Sequence, residues 1–333
     1  MDEIDVVVVG GGAAGLNAAL VLARARRSVL MVDEGRPRNA PAAHAHGYLT
    51  RDGIPPTELL AIGRAEVEAV GGEVVADRVV GARRDGSGFR LTLDAGADVR
   101  ARTLLVTTGL ADELPPIDGL RERWGRDVLH CPYCHGYEVR DQPIGVLATS
   151  PLSVHQALLV RQWSEDVVLF LHTADDPGDE EWERLAARGI AVVDGEVAGL
   201  VITNDRLSGV RLRSGQVVSR TAVFAGPFLR ARDAVLTALG AEVQHTPIFS
   251  QVVVDADGAT SVPGVWAAGN VADARAQIIT AAAAGARAAG AINAHLVEEE
   301  TDRAVHERRA PAFSRRSESR VCEQVLGDAR HGL

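Results

Sequence analysis

The sequence predicts an α/β protein built from two three-layer domains, the second inserted into the first. Three observations favour this fold class. A βαβ pattern opens the chain, a second strand–turn–helix–strand pattern follows in the middle, and a short apolar strand ending in small residues occurs twice, at 103–109 and within 262–273. Because the two similar strands flank the middle segment, an inserted domain is the simplest arrangement.

The first βαβ pattern carries a glycine-rich turn. The run IDVVVV at 4–9 is β-branched and continuously apolar, as in a strand buried on both faces of a parallel sheet. It leads into Gly10, Gly12 and Gly15, then a helix and a second strand ending at Asp33. In a GxGxxG turn the glycines permit a tight turn, backbone approach to a pyrophosphate and close helix packing, and the later carboxylate binds a ribose. These features predict a Rossmann-like dinucleotide site.

The middle of the chain predicts a second Rossmann-like unit, from PIGVLATSPLSVHQALLVRQW to VVLFLH. The end of the chain is charge-dense and has a proline break, which favours a surface helix followed by a mobile segment, with Cys322 as an incidental thiol. We therefore predict four segments: 1–112, the first part of the dinucleotide-binding domain; 113–245, the insert; 246–297, the second part of the first domain; and 298–333, a charged tail.

Composition excludes several classes of protein. The 333 residues are 46% hydrophobic and 24% charged, with a net charge of −10 and scattered arginines, so nucleic acid is not a predicted partner. The stretch IITAAAAGARAAGAIN is mostly alanine and contains Arg287, which favours a packed helix over a membrane span. The acidic start MDEIDVVVV lacks the basic region of a signal peptide, so we expect a cytoplasmic protein.

The segment HCPYCHGYE at 130–138 carries the predicted chemistry. Three cysteines in a chain of 333 residues do not make a disulfide framework, and the cytosol keeps ordinary thiols reduced. The spacing of Cys131 and Cys134 permits a small redox disulfide, Pro132 restricts the turn, and a following helix lowers the pKa of the first thiol. Histidines on both sides, His130 and His135, exchange protons near neutral pH.

Three other interpretations of this segment stay open. A zinc site has the right atom types, but adjacent residues do not converge readily on one tetrahedral ion, and no second CxxC or HxxxH follows in the sequence. A purely structural disulfide conflicts with a reducing compartment. Either histidine can also be a solvated turn residue. We predict a redox pair and no metal.

Taken together, GGGAAG, TTG, CPYC, VPGVWAAGN and AQIITAAAAG resemble the low-molecular-weight thioredoxin reductase flavoprotein family over about residues 4–297. The resemblance implies an FAD domain formed by the first and last segments and a nicotinamide-type insert. It also implies a CxxC that carries electrons between the flavin and a substrate thiol pair, and a homodimer.

The resemblance assigns roles residue by residue. Cys134 would face the flavin and Cys131 the substrate, with His135 as the favoured general base and His130 as the second choice. The start of the last helix would stabilise negative charge on the reduced flavin. The implied FAD-binding residues are Gly10, Gly12, Ala13, Ala14 and Gly15 at the pyrophosphate, Asp33 at the ribose, Glu34, Gly35, Arg36 and Asn39 in the loop around the cofactor, His46 and Gly47 nearer the ring, Val79 at the adenine, Thr108 and Gly109 near the end of the first segment, Gly269 and Asn270 at the ribityl chain, and Gln277 and Ile278 at the flavin ring.

The chain departs from the family in its insert. Where that family has a glycine-rich phosphate turn, this chain has TSPLSVH, with side chains and Pro151 that obstruct approach to a pyrophosphate. After the next strand, Thr173, Asp175 and Asp176 replace the arginine pair for the 2′-phosphate of NADPH, and carboxylates repel phosphate. We therefore infer that the insert keeps its fold and has lost nicotinamide binding.

Two further departures concern single residues. Asn270 replaces an aspartate, and its amide can still hydrogen-bond ribityl hydroxyls. His135 replaces an acid. With the lost nicotinamide turn, these features resemble the dithiol oxidases of gliotoxin- and holomycin-type natural products, which use FAD and O2. We predict a small-molecule dithiol oxidase that gives H2O2. The alternatives are a disulfide reductase fed by ferredoxin or NAD(P)H and a flavin redox sensor without turnover.

Overall fold

The computed structural model describes residues 3–309 and 315–326, and it begins with the predicted βαβ unit. The strand predicted at 4–9 and the strand predicted to end at Asp33 are confirmed. The elements of the first segment are β1 (Ile4–Val9), α1 (Ala13–Arg24), β2 (Val29–Asp33), α2 (Pro56–Ala69), β3 (Glu73–Ala76), β4 (Val79–Asp85), β5 (Gly88–Leu93), β6 (Asp98–Val106) and β7 (Leu110–Glu113).

The middle segment forms its own parallel sheet, with the strand order β11-β10-β9-β15-β8, and a separate antiparallel sheet of β12, β13 and β14. The predicted strand–turn–helix–strand pattern corresponds to β9, α4 and β10. The elements are β8 (Val128–Leu129), α3 (Pro132–His135), β9 (Ile144–Leu147), α4 (Ser153–Val160), β10 (Val167–Phe170), α5 (Asp179–Ala187), β11 (Ala191–Val193), β12 (Val197–Thr203), β13 (Arg206–Leu212), β14 (Val217–Val218), β15 (Ala222–Ala225) and β16 (Phe228–Ala231).

The last segment returns to the first domain and ends in a long helix. Helix α7 continues without a break through position 298, where the charged tail is predicted to begin, and Glu300 accepts bonds from Arg27 at 2.6 Å and Arg102 at 2.7 Å. The predicted proline break at Pro311 lies outside the described residues. The elements are α6 (Ala234–Ala238), β17 (Val243–His245), β18 (Ser250–Val252), β19 (Val265–Ala267), a 3₁₀ turn (Gly269–Val271), α7 (Ile278–Arg309) and α8 (Arg315–Leu326), which carries the free thiol of Cys322.

The first sheet joins both ends of the chain. Strand β1 lies between β2 and β6 in parallel, and β19 pairs with β6 in parallel, with Val265 opposite Leu104. Successive side chains of a strand point to opposite faces. Accordingly, Val7 and Val9 pack into one buried cluster, and Val6 and Val8 pack into another beneath α1 and α7. This confirms the prediction that the first strand is buried on both faces.

The insert contacts the first domain closely. Gly125 has a φ of +79°, and a Cβ atom added there would lie 3.0 Å from the side chain of Pro41. Arg38 donates two hydrogen bonds, of 2.6 and 2.9 Å, to Asp112 of β7. Strand β7 in turn pairs with β16, which follows the last strand of the insert's parallel sheet. The insert therefore sits over the carboxyl ends of β1 and β2.

The fold class predicted from the sequence is confirmed, because the chain forms two Rossmann-like parallel sheets and the second lies between the two parts of the first. The boundaries at 112, 245 and 297 remain a proposal. Among the residues that the structure describes, no helix combines the length and apolar character needed to cross a membrane.

Candidate active site

A cavity of about 1160 Å³ lies where β1, β2 and β6 end and extends to the insert. Loops that follow parallel strands meet at one edge of a sheet, which places ligand sites there. Gly15, Gly35 and Gly47 are not among the lining residues. The predicted site residues that line the cavity are Gly10, Gly12, Ala13, Ala14, Asp33, Glu34, Arg36, Asn39, His46, Val79, Thr108, Gly109, His130, Cys131, Cys134, His135, Gly269, Asn270, Gln277 and Ile278.

The three glycines of the turn after β1 have different surroundings. Gly10 has a φ of +109°, and an added Cβ would lie 2.6 Å from the carbonyl oxygen of Thr107. A Cβ on Gly15 would overlap the carbonyl oxygen of Gly10, so this glycine permits close packing of helix and strand. A Cβ on Gly12 would have no neighbour within 4 Å on the cavity side. Since α1 begins at Ala13, its first N–H groups have no acceptor within the helix.

The carboxylate of Asp33 is held from two sides. The backbone N–H of Gly11 donates to Asp33 Oδ1 at 3.0 Å, and Arg64 Nη2 of α2 donates to Oδ2. Arg64 was not predicted from the sequence, because nothing in the local pattern of α2 distinguishes it from other helix arginines. Arg64 holds the carboxylate of Asp33, at the end of β2, in one orientation.

The turn before α7 depends on an amide side chain. Asn270 Nδ2 donates to the carbonyl oxygens of Asp273 at 3.1 Å and Ala276 at 2.9 Å. Both amide hydrogens are used, so Oδ1 remains as an acceptor on a residue that lines the cavity. A carboxylate could not donate these bonds, which gives a physical reason for asparagine at this position. The neighbouring Gly269 has a φ of +75°, and a Cβ there would lie 2.9 Å from the side chain of Ala14.

The two cysteines of the CxxC form a disulfide, with their Cα atoms 5.3 Å apart. Buried Pro132 opens the short helix α3, and the N–H groups of Cys134 and His135 donate to the carbonyl oxygen of Cys131 at 3.1 and 3.2 Å. Gln277 Nε2, just before α7, lies 3.9 Å from Cys134 Sγ. The second cysteine therefore contacts the residue that precedes the last helix of the first domain.

The two histidines that flank the pair are partly buried. Burial lowers the pKa of His135 below its ordinary value, Glu138 opposes this shift and His46 adds to it. Burial also lowers the pKa of His130, and nearby Arg38 lowers it further. His130 Nδ1 donates to the carbonyl oxygen of Ala225 at 3.3 Å, which leaves Nε2 as the acceptor of the neutral ring. Both rings are therefore disposed to be neutral near pH 7.

A histidine from the first domain completes the surroundings of His135. The ring of His46 lies perpendicular to that of His135, with centroids 6.3 Å apart. Its Nδ1 is 3.4 Å from Asp52 and its Nε2 is 3.4 Å from Glu138. The sequence analysis missed both carboxylates, although Glu138 follows Cys134 closely. The backbone N–H of Gly47 binds the other oxygen of Asp52 at 2.8 Å and fixes this loop.

The turn between β9 and α4 is filled by its own hydrogen bonds. Thr149 Oγ1 bonds both the N–H and the carbonyl oxygen of Gly226, at 3.1 and 3.0 Å. Ser150 N–H donates to Ser153 Oγ at 3.2 Å, and Leu152 N–H donates to Ser150 Oγ at 3.1 Å. The N–H groups of Thr149 and Ser153 donate to backbone carbonyl oxygens. The N–H groups of Thr149, Ser150, Leu152 and Ser153 are therefore already paired, and Pro151 has none to offer.

Within 3–309 and 315–326, no group of three or more histidine, cysteine, aspartate or glutamate side chains has an arrangement suited to a metal ion. A CxxC disulfide beside a glycine-turn cavity, with two histidines at the pair, defines a thiol–disulfide oxidoreductase. The chain belongs to the pyridine nucleotide-disulphide oxidoreductase family, whose model matches residues 4–287. The family resemblance derived from the motifs is thereby confirmed.

Individual relatives agree with this family. Thioredoxin reductase tcpT of Claviceps purpurea is 30% identical over 285 residues, covering 80% of this chain and 86% of that protein. Thioredoxin reductase sirT of Leptosphaeria maculans is 30% identical over 317 residues, covering 87% and 93%. The crystal structure of HlmI superimposes with a TM-score of 0.88 at 51% identity, covering 92% of this chain and 96% of that one.

Proposed function

We propose that this protein is an FAD-dependent dithiol oxidase that closes a disulfide in a small-molecule dithiol and uses O2 as the electron acceptor. The observation that carries this proposal is the filled turn between β9 and α4, in which the N–H groups of Thr149, Ser150, Leu152 and Ser153 are bonded within the protein and the Thr149 hydroxyl is bonded to Gly226. A CxxC disulfide in the cavity retains the means to accept electrons from thiols. Electrons would therefore enter from a dithiol rather than from NADPH.

The residues of the cavity fit FAD. Gly12 leaves open space at the start of α1, where unpaired N–H groups favour a pyrophosphate, and the carboxylate of Asp33 is fixed where it would accept hydrogen bonds from the ribose hydroxyls. Thr108, Gly109 and Asn270 border the cavity, and Asn270 Oδ1 is not used by the two bonds that its amide nitrogen donates. When bound, FAD supplies a two-electron acceptor for the reduced cysteine pair and a donor to O2, which becomes H2O2.

The cysteine pair carries out the thiol chemistry. His135 removes a proton from one substrate thiol, and the resulting thiolate attacks Cys131 Sγ, so that the bond to Cys134 breaks and Cys134 leaves as a thiolate. The second substrate thiolate attacks the first substrate sulfur, which releases Cys131 and closes the product disulfide. The pair then holds two electrons, and the two protons lost by the substrate are those that H2O2 requires.

Gln277 and His46 support different steps. The amide of Gln277 contacts Cys134 Sγ and would donate to the thiolate formed there. His46 lies beside His135 rather than alone, so we assign it to the surroundings of the base. His130, whose Nε2 is available, is the second candidate for the base. The homodimer implied by the family resemblance is part of the proposal and would be measured by light scattering.

The test uses the purified flavin-loaded protein without oxygen. Dithiothreitol and NADPH are added separately, bleaching of the flavin band is followed, and air is then admitted while peroxide is recorded. Bleaching by the dithiol alone, followed by recovery in air with one peroxide per dithiol oxidised, supports the oxidase. Rapid bleaching by NADPH would make the protein a reductase, as the names of its fungal relatives state. The variant Cys131→Ser should lose dithiol bleaching, whereas Cys322→Ser should keep it.

A further inference from the structure

Helix α4 presents one face to the cavity, although the turn before this helix is filled by its own side chains. Leu152, His155, Gln156 and Leu159 all line the cavity, and their spacing places them along one side of a helix. The opposite side of α4 is core, since Ala157 and Val160 are fully buried. Packing within the insert therefore does not explain why these four residues occupy the cavity side of α4.

This face is adjacent to the cysteine pair. Gln156 Nε2 donates to the carbonyl oxygen of His130 at 2.8 Å, directly before Cys131. Tyr133, between the two cysteines, packs edge-on against Trp163 just after α4, with ring centroids 5.6 Å apart. A molecule that presents a thiol to Cys131 would thus have this helix face beside it.

The two leucines of this face and the adjacent Tyr133 form an apolar surface that is in part exposed. Leu152 is 49% exposed and Tyr133 is 67% exposed, while neither carries a charge. Covering an exposed apolar side chain with a ligand is favourable, on the order of 25 cal/mol per Å² of apolar surface removed from water. A phosphate-binding helix start would instead present glycines and N–H groups. This surface is therefore suited to apolar contact rather than to binding an anion.

We propose that Leu152, Leu159 and Tyr133 form one wall of the substrate site and select an uncharged, largely apolar dithiol, with Gln156 and His155 as its polar neighbours. This inference rests on the proposed function and names the class of its substrate. A dithiol that carries carboxylates would lose hydration against this wall without finding a fixed positive charge on it.

The experiment compares three dithiols with the holoenzyme by oxygen consumption: benzenedimethanethiol, which is apolar; dithiothreitol, which is neutral and polar; and dimercaptosuccinate, which is dianionic. We expect kcat/KM to fall in that order. The double variant Leu152→Gln with Leu159→Gln should lower kcat/KM for benzenedimethanethiol about tenfold, which corresponds to about 1.4 kcal/mol. Its rate with dithiothreitol should change less than about twofold on the same scale.

The matched control is Val217→Gln, because Val217 is also an exposed apolar residue, 51% exposed, but lies on β14 away from the cavity. It should leave all three rates unchanged. The inference is overturned if wild type oxidises the three dithiols equally well, or if the double variant slows all of them by the same factor. The proposed function itself fails under a different result, in which dithiothreitol neither bleaches the wild-type flavin nor consumes oxygen.

Discussion

Gln277 Nε2 lies 3.9 Å from Cys134 Sγ, although the two residues belong to different parts of the chain. This contact crosses from the start of α7 to the short helix of the insert. Both residues line the cavity that the glycine turn borders.

Replacing Gln277 with leucine should slow electron transfer out of the reduced cysteine pair about tenfold, because a hydrogen bond to a charged partner contributes about 1.5–3 kcal/mol. Gln277→Glu should slow it more, since a carboxylate repels the Cys134 thiolate. Stopped-flow bleaching of the flavin after mixing with dithiothreitol measures the step. The control Gln162→Leu, at an exposed position after α4, should behave as wild type. Equal rates in all four proteins would refute this role.

The pH dependence of dithiol oxidation should report on His135. Because burial lowers its pKa, the ring stays neutral and able to accept a proton below the ordinary histidine value of about 6.5, and the rate should fall only as pH drops through the lowered pKa. His135→Asn should lower the rate roughly a hundredfold and remove this acidic limb. If His130→Asn has that effect instead, the base is His130.

The neighbours of His135 should move the acidic limb in opposite directions. Glu138 raises the pKa of His135, so Glu138→Gln should move the limb to lower pH. His46 lowers that pKa, so His46→Asn should move the limb to higher pH. Rate profiles between pH 4.5 and about 8, the range in which a shifted histidine titrates, would measure both shifts. Shifts of the same sign would show that the two residues act on folding rather than on the base.

Asn270→Asp should destabilise the turn before α7. The carboxylate cannot donate to the carbonyl oxygens of Asp273 and Ala276, and it would face both of them. We expect the free energy of unfolding to fall by about 2 kcal/mol, in the range for unsatisfied partly buried groups, and flavin to be retained less well. Chemical denaturation measures this change. Asn204→Asp, an identical change at an exposed position, should have little effect.

Arg64→Met should weaken flavin binding about tenfold. Asp33 would then keep only the N–H of Gly11, and its uncompensated charge would lie near the start of α1, where a pyrophosphate is expected. Titration of the flavin-free protein with FAD measures the affinity. Arg24→Met, at the exposed end of α1, removes the same charge and serves as the control. Unchanged affinity in both variants would exclude a role for Arg64.

The fold could be predicted because its signals are local. The β-branched run of β1, the glycine turn and the acid at the end of β2 lie within one βαβ unit, so short-range spacing was sufficient. The same holds for the side-chain-rich turn before α4. The candidate site was predicted residue by residue through family resemblance, and most of those residues line one cavity.

The remaining contacts depend on tertiary structure. His46 meets Glu138, and Gln277 meets Cys134, only because the insert folds back over the first sheet. Periodic patterns in the sequence do not predict contacts between residues so far apart in the chain. The hydrogen bonds that Asn270 donates could not be predicted either. Its side chain was expected to face a ligand, but its amide hydrogens bind the carbonyl oxygens of Asp273 and Ala276 in the following turn. Sequence patterns thus located the cavity but not the partners that tune it.

The pairing of β19 with β6 has a consequence for biosynthesis. Val265 is opposite Leu104, and α7 covers the face of α1, so the first domain is completed by residues that leave the ribosome after the entire insert. Until then, an edge of β6 and an apolar helix face stay uncovered in the nascent chain. The insert can therefore fold while its host is still unfinished, and during this interval the uncovered strand edge and helix face expose the chain to aggregation.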